Sequence, residues 1–567
     1  MKNFFSTKKN VTIAFVAVLV LATGLRFWGL GTLDVQHDHA INSYRALGWL
    51  DYLGDKQTSP IIWFKDLPWW THLSFHDHPP LSFFIQHITF NLFSDTGLAA
   101  HLPFVLGGLA TVALIFFIVK KESSDREALL AALLYAISSY AIWSSRTGYL
   151  EGIETAFIMA TVYCFFRFFK SGAHRDALLW GLMLALALLT KYTSVFLIPA
   201  ALVALLIWQR DRLKQWQTWI APLLTLLLLI PVIIYNLFTF MTRGHFDAAL
   251  SSMVGMHPTD FGGIAERGVN ANIIANVTGI WLTILANVSI PLLGLLLAAL
   301  LAIFFVRKKQ NNPFITIVLI HAGFIVLLFT FSGTQTRFLS IIVPFLTIIL
   351  ARGIVIFYTA ARNNARYLLI AITSSIIAYE LFFAINTNLT RKPVGVAPIT
   401  FAPDRFYDHG YERLDQFLRE NAYGPLPPRK KFSTLADTYL PLDFKQGRAL
   451  LLDERIDWFA KTWYVRRYQH YYQMPLLDLT YLAQLLKRHD LNGDILVSLQ
   501  ALGVKELWFI QVNDAVATND EDADYALGIN TLAKNLEGFG IHPTIIKDYQ
   551  SRDAFMVYHF FLQDGSH

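Results

Sequence analysis

Eighteen of the 27 Lys and Arg residues that precede Ile385 fall in six short clusters. These are Lys2/Lys8/Lys9, Lys120/Lys121/Arg126, Arg167/Lys170/Arg175, Arg210/Arg212/Lys214, Arg307/Lys308/Lys309 and Arg352/Arg362/Arg366. Between them lie apolar stretches long enough to cross a hydrocarbon core of about 30 Å. Short cytoplasmic loops carry an excess of positive charge, so the clusters place the N-terminus and five loops on that side. The opposite, extracytoplasmic face then holds nearly all the acidic and unusual chemistry. A chain so patterned folds as a polytopic α-helical membrane protein.

Composition agrees, with 54% hydrophobic residues, 14% aromatic residues and a mean hydropathy of +0.42. Charge is uneven along the chain. Residues 1–385 contain 27 basic and 18 acidic residues, and residues 386–567 contain 20 and 23. The second segment is therefore about twice as charged per residue, which marks a domain boundary near Asn386. The pI near 9.1 comes from the membrane half and fits contact with anionic lipid head groups, not nucleic acid. The lone cysteine, Cys164, excludes an internal disulfide. The basic start and Val11–Ala22 imitate a signal peptide, but no small-residue cleavage site follows and Leu25–Leu30 continues the apolar run. An uncleaved first helix in a bacterial plasma membrane is expected.

About eleven spans are expected: Val11–Leu30, Leu102–Val119, Leu129–Ser145, Ile153–Phe169, Ala177–Thr190, Ser194–Trp208, Trp219–Phe240, Val277–Val306, Phe314–Phe331, Phe338–Ile356 and Tyr367–Ile385. An odd number puts residues 386–567 outside. Reading Leu178–Trp208 as one tilted helix would move Arg210–Lys214 and Arg307–Lys309 to the outer face, so a turn at Lys191 is preferred. The first outer loop, residues 31–100, contains Leu81–Phe93, apolar but only about 20 Å long as a helix. It follows Pro79-Pro80 and reads as an interfacial amphipathic helix, with Ile41–Tyr52 as a second. Such a surface suits a substrate with a lipid tail.

Polar residues on the outer face are the candidates for chemistry. Asp34, His37, Asp38 and His39 follow the first span, and His76, Asp77 and His78 precede Pro79-Pro80. Arg146 and Glu151 flank the turn between the third and fourth spans, Lys191 sits at the next outer turn, and Arg337 opens the tenth span. Any one of these could be a solvated loop charge or a snorkelling anchor. As a set, placed at the ends of different helices on one face, they point to a site, because charge at a bilayer edge is costly and faces a partner or cavity.

Several pieces carry a family resemblance: Asp38-His39-Ala40 with Tyr44, His78-Pro79-Pro80-Leu81, Arg146–Glu151, Leu188-Leu189-Thr190-Lys191, and Thr336-Arg337-Phe338-Leu339 with Pro344. In their order and topology they resemble the GT-C glycosyltransferases, in particular the branch of protein O-mannosyltransferases and the lipid A aminoarabinose transferase. The resemblance covers about residues 11–385. It implies transfer of a hexosyl or pentosyl group from a polyprenyl-phosphate donor to a lipid, glycan or protein acceptor on the extracytoplasmic face. It makes Asp38 and Glu151 the catalytic carboxylates, with Asp38 as base. Lys191, Arg337 and Arg146 become the donor-phosphate ligands, and Asp34, His37 and His78 residues of the substrate loop. Where many relatives have Asp-Glu, this chain has Asp38-His39.

The chemistry fits these residue types. Phosphate is already a tolerable leaving group, so one carboxylate suffices as general base, where hydrolases use a pair. Charge developing on the departing phosphate calls for cations in a low-dielectric site. His-Asp-His occurs twice and contains proper Zn²⁺ or Mn²⁺ ligand types, yet neighbouring side chains rarely converge, so no metal and no other cofactor is assigned. Gly107-Gly108 lies in an apolar helix and reads as packing, not as a nucleotide loop.

Residues 386–567 read as an extracytoplasmic α/β domain. Ala449–Leu452, Glu506–Gln511 and Phe555–Phe561 are expected as strands, and Tyr411–Asn421, Leu479–Arg488 and Tyr525–Leu536 as helices. The aromatic and basic run Tyr464–Tyr472 reads either as a carbohydrate or head-group surface or as packing onto the membrane. The domain shows no catalytic constellation and takes an accessory role. The alternative function is a transporter or flippase of lipid-linked or small solutes, against which stands the absence of an internal repeat.

Overall fold

Among the described residues, apolar sequence and helical backbone coincide in six helices long enough to cross a membrane: Lys8–Thr32, Gly97–Glu122, Glu151–Ser171, Phe314–Ser332, Phe338–Ala360 and Asn364–Asn388. Two bent pairs raise the number to eight if each is one span. The computed structural model describes residues 8–53, 58–261, 272–306, 313–362, 364–403, 405, 408–431, 447–478, 495–501, 503–514, 516–517 and 523–562. Apolar helices of this kind make the chain an integral membrane protein. Their shared core includes Val112, Phe165, Ile317 and Phe345.

The bends have local causes. Asp125–Ile137 and Ser139–Arg146 meet at 58°, where the Ser138 hydroxyl caps the second helix by accepting from the Ala141 N–H at 3.4 Å. Trp216–Leu228 and Ile230–Arg243 meet at 53° beside Pro231, which lacks the N–H a continuous helix needs. The expected single span Val277–Val306 is instead two helices, Ile273–Asn287 and Ile290–Val306. Pro291 is the reason: it cannot donate to the Asn287 carbonyl, and its ring crowds that carbonyl. Lys191 does stand in extended backbone between His174–Thr190 and Leu197–Trp208, the turn expected there. Gly107 packs against the Gly152 backbone, where a side chain would collide.

Basic clusters meet acidic partners at one end of the bundle. Arg167 pairs with Asp176 at 2.7 Å, Lys170 with Glu122 at 2.8 Å and Arg352 with Glu127 at 3.0 Å. Lys2 and the Arg307–Lys309 cluster lie outside the described residues.

At the other end, Leu81–Phe93 forms the expected helix, with Phe83, Gln86 and Phe90 buried and Phe84, Ile88 and Leu92 exposed. The second expected interfacial helix is different. It runs His37–Gly48 and is buried from His39 to Leu47, because helix Leu81–Phe93 and the C-terminal domain cover it.

Among its described residues that domain holds a five-stranded sheet in the order β2-β1-β3-β5-β4, with β1 Arg448–Leu452, β2 Leu476–Asp478, β3 Glu506–Val512, β4 Thr544–Lys547 and β5 Asp553–Phe561. β1 is parallel to β2 and β3, and β5 is antiparallel to β3 and β4. Alternation sorts the side chains. Ala449, Leu451, Leu507 and Phe509 face helix Ala523–Gly538, while Leu450, Leu452, Trp508 and Ile510 face helix Tyr411–Leu418 and the outer-loop helices. The expected helix Leu479–Arg488 lies outside the described residues. The run Tyr464–Tyr472 is no open surface. With Trp463 it fills the seam between domain and loop, where Trp463, Arg467, Tyr468 and Tyr471 are buried and Tyr471 donates to the Tyr44 carbonyl at 3.0 Å.

Candidate active site

Four of the expected site residues form two ion pairs joined by one ring. Arg337 donates from Nη1 to Asp38 Oδ2, and Lys191 donates from Nζ to Glu151 Oε1. The Phe338 ring lies 4.0 Å from Lys191 Nζ and 4.9 Å from Arg337 Cζ, measured to its centroid, so both cations use its face. Asp38 comes from the first turn of helix His37–Gly48, Glu151 from the first turn of Glu151–Ser171, Lys191 from the extended turn, and Arg337 from the segment before Phe338. Two pairings separated by 299 and 40 residues thus meet at one end of the bundle.

Asp38 and Arg337 line a cavity of about 410 Å³ together with His37, Trp143, Tyr149, Asn287, Thr336 and Arg405. That volume is in the range of small-molecule sites. Asp38 keeps 35% of its side-chain surface open, whereas Glu151 keeps 2%, so Asp38 is the carboxylate a substrate can reach. Arg337 also lies 5.5 Å from the Tyr149 ring, and burial pulls its guanidinium down to about 10, leaving it charged at neutral pH. A desolvated cation holds anions strongly. Tyr140 donates its hydroxyl to the Thr336 carbonyl and ties this segment to helix Ser139–Arg146.

The other expected residues have different surroundings. Arg146 gives Nη1 to the carbonyls of Leu25, Arg26 and Trp28, at 3.3, 3.0 and 2.7 Å, and so closes the end of the first helix. It lines a smaller cavity of about 40 Å³ beside the main one. Asp34 accepts the backbone N–H groups of His409 at 2.6 Å and Glu412 at 2.8 Å, which docks the C-terminal domain. His37 lines both cavities, packs edge-on to Phe459 at 5.9 Å, and is shifted toward the neutral form by burial. His78 lies 3.3 Å from Asp77, in a network where Arg45 holds Asp77 at 2.8 Å and Asp51 holds His76 at 2.6 Å. Neither Asp34, placed in the small cavity, nor His78 lines the main cavity.

Both His-Asp-His triplets splay. His39 points to the Ala100 carbonyl at 3.2 Å while Asp38 faces Arg337, and His76 and Asp77 face Asp51 and Arg45. Among the described residues no three His, Cys, Asp or Glu side chains gather as a metal ligand set. Gly148, at φ +71°, lets the His39 ring lie against its backbone, where any Cβ would overlap it.

Sequence reasoning missed Trp143, Tyr149, Asn287, Phe459 and Arg405. Arg405 is the instructive omission, because it follows the last span, in a segment with no periodicity, yet it stacks 3.8 Å over Trp143 at the cavity wall. The C-terminal segment therefore supplies part of the site.

A family model described as dolichyl-phosphate-mannose-protein mannosyltransferase matches residues 77–235. No curated protein sequence matches the chain. Among solved structures, ArnT from Cupriavidus metallidurans bound to undecaprenyl phosphate is similar at a TM-score of 0.51 and 11% identity, over 98% of both chains. The oligosaccharyltransferase of Archaeoglobus fulgidus is similar at a TM-score of 0.50 and 13% identity, over 90% of this chain and 70% of that one. The expected GT-C fold is present, a helical membrane domain followed by a small sheet domain.

Proposed function

We propose that this chain is an integral membrane glycosyltransferase that moves a sugar from a polyprenyl-phosphate donor to an acceptor on the extracytoplasmic face of a bacterial plasma membrane. Its N-terminus is cytoplasmic, and its partners are the lipid-linked donor, a lipid, glycan or protein acceptor, and membrane lipids. The observation that carries the reading is the Asp38–Arg337 pair at the wall of a cavity large enough for a small ligand. The matched family and the undecaprenyl phosphate bound to the similar ArnT favour the same donor class.

The pair combines the two functions that inverting transfer requires. The acceptor oxygen or nitrogen attacks the anomeric carbon and its proton passes to Asp38. The bond from that carbon to the phosphate oxygen breaks, and its electron pair leaves with polyprenyl phosphate. Arg337 and Lys191 offset the charge that grows on the phosphate. In the resting protein each cation is held by a carboxylate. An arriving phosphate competes for Arg337 and releases the lone pair of Asp38, so donor binding activates the base. Arg405, also at the cavity wall, is a further cation within reach of the ligand.

The test is incubation of the purified protein in vesicles with tritiated hexosyl and pentosyl phosphoryl undecaprenols. Donor-dependent release of undecaprenyl phosphate supports transfer. Movement of intact tracer across the bilayer without cleavage supports transport and overturns the reading.

A further inference from the structure

Two helix breaks flank the cavity, and one carboxylate touches both. Glu380, in helix Asn364–Asn388, is 1% exposed. Its Oε1 accepts the backbone N–H of Ser139 at 3.2 Å, the first residue after the 58° bend. Its Oε2 accepts the Ser289 hydroxyl at 2.6 Å, in the break ahead of Pro291. From the end of the same helix, Asn388 donates Nδ2 to the Ser139 carbonyl at 3.2 Å. Helix ends expose N–H and carbonyl groups without intrahelical partners, and inside an apolar bundle these require side-chain ligands.

Each break delivers one wall of the main cavity. Helix Ser139–Arg146 carries Trp143, and helix Ile273–Asn287 ends on Asn287. On both walls a buried polar atom has no hydrogen-bond partner among the described residues: the donor Nε1 of Trp143 and the acceptor Oδ1 of Asn287. The Asn287 amide is oriented, since Nδ2 donates to the Thr283 carbonyl at 2.6 Å. Buried polar groups are nearly always paired. Both residues line the cavity, and a side-chain rotation that turns these two covered atoms toward it presents one donor and one acceptor, the pair that matches a group able to accept and donate, as sugar hydroxyls do.

We infer that Trp143 and Asn287 form a hydroxyl-binding subsite for the transferred sugar, and that Glu380 is the positioning residue that holds both walls in place. The inference rests on the transfer reading of this cavity. Glu380 reaches the sugar only through Trp143 and Asn287. In Glu380→Gln the amide oxygen still accepts the Ser139 N–H and the amide nitrogen donates to Ser289 Oγ, so the clamp re-forms. Glu380→Ala removes both contacts.

The experiment uses whichever tritiated undecaprenol-linked sugar the wild-type protein turns over. Glu380→Ala lowers kcat/KM on the order of 10²-fold, the effect of misplacing a substrate by about 1 Å. Glu380→Gln stays within about threefold, a modest loss for a re-formed clamp. Asn287→Ala lowers kcat/KM as well, and the double variant with Glu380→Ala loses no more than the worse single one, because both act through the same wall. Binding of undecaprenyl phosphate, which lacks the sugar, stays at the wild-type level in all of them. Ala286 lines the main cavity beside Asn287, and an Ala286→Cys variant in a Cys164→Ser background gives a second readout independent of turnover. Its reaction rate with a water-soluble maleimide shifts several-fold on adding Glu380→Ala and not on adding Glu380→Gln. Unchanged kcat/KM and maleimide rate in Glu380→Ala, multiplying losses in the double variant, or equal loss of undecaprenyl phosphate binding overturns the inference. If no donor is turned over by the wild type, the transfer reading fails instead, and the maleimide arm still decides the clamp.

Discussion

Phe338 is the residue through which the two ion pairs become one site. Its ring shields Lys191 and Arg337 from water, so each cation keeps a strong demand for an anion. If these cations receive the donor phosphate, Lys191→Ala and Arg337→Ala each weaken binding of undecaprenyl phosphate as well as turnover, because a charge-assisted hydrogen bond exists in the bound and transition states alike. Calorimetric titration measures this directly, and wild-type affinity in both variants would show the cations to be interfacial anchors. At Gly148 the backbone is left-handed and the His39 ring fills the space of a side chain. Gly148→Ala is therefore expected to destabilise the protein by more than about 1 kcal/mol, the cost of the left-handed conformation alone. A melting temperature equal to wild type would contradict the packing described.

Among the elements, the junction between the outer loop and the C-terminal domain holds two buried carboxylates that respond to protons. Burial, with Asp408 nearby, pushes Asp34 up to about 7, although the backbone N–H groups of Glu412 and His409 oppose the shift. Burial, with Asp415 nearby, pushes Glu412 up to about 8. Both folded values lie above the usual carboxylate range, so the folded state binds more protons than the unfolded state between about pH 4 and 8. The stability from this junction is present in full below about pH 4 and is lost as pH rises through 7 and 8. Thermal unfolding between pH 5.5 and 9 should show a falling melting temperature, with a shallower slope in Asp34→Asn. A melting temperature that climbs over that range would reverse the sign and the argument. The elements also show what a sequence conceals. Leu81–Phe93 and three strands were legible because period and breakers agreed there. The break before Pro291 was not, since the apolar stretch on both sides of Asn287 and Ser289 is long enough to read as one span. The burial of His37–Gly48 was hidden too, because part of its cover comes from residues more than 400 positions away.

At the scale of the whole molecule, the basic clusters were legible in the sequence, while the site depends on pairings that no local pattern encodes. Asp38 and Arg337 were each visible as charges at helix ends, but the sequence holds no sign that they touch, and Arg405 lay in a segment without any pattern. The topology expected from the charge clusters can be measured. In a Cys164→Ser background, a cysteine at Val497 should react with an impermeant maleimide from outside the cell, and one at Lys121 only after permeabilisation. Labelling in the opposite order would invert the orientation. The central claim is that Asp38 takes the acceptor's proton in a cavity whose phosphate site is built from other residues. Asp38→Asn keeps the size of the side chain, removes the base and leaves Arg337 free to hold an anion. The direct test is single-turnover transfer from the lipid-linked donor, measured beside the affinity for undecaprenyl phosphate. The account predicts a rate about 10²–10⁴-fold below wild type with affinity equal or tighter, and a rate within a few-fold of wild type would contradict it.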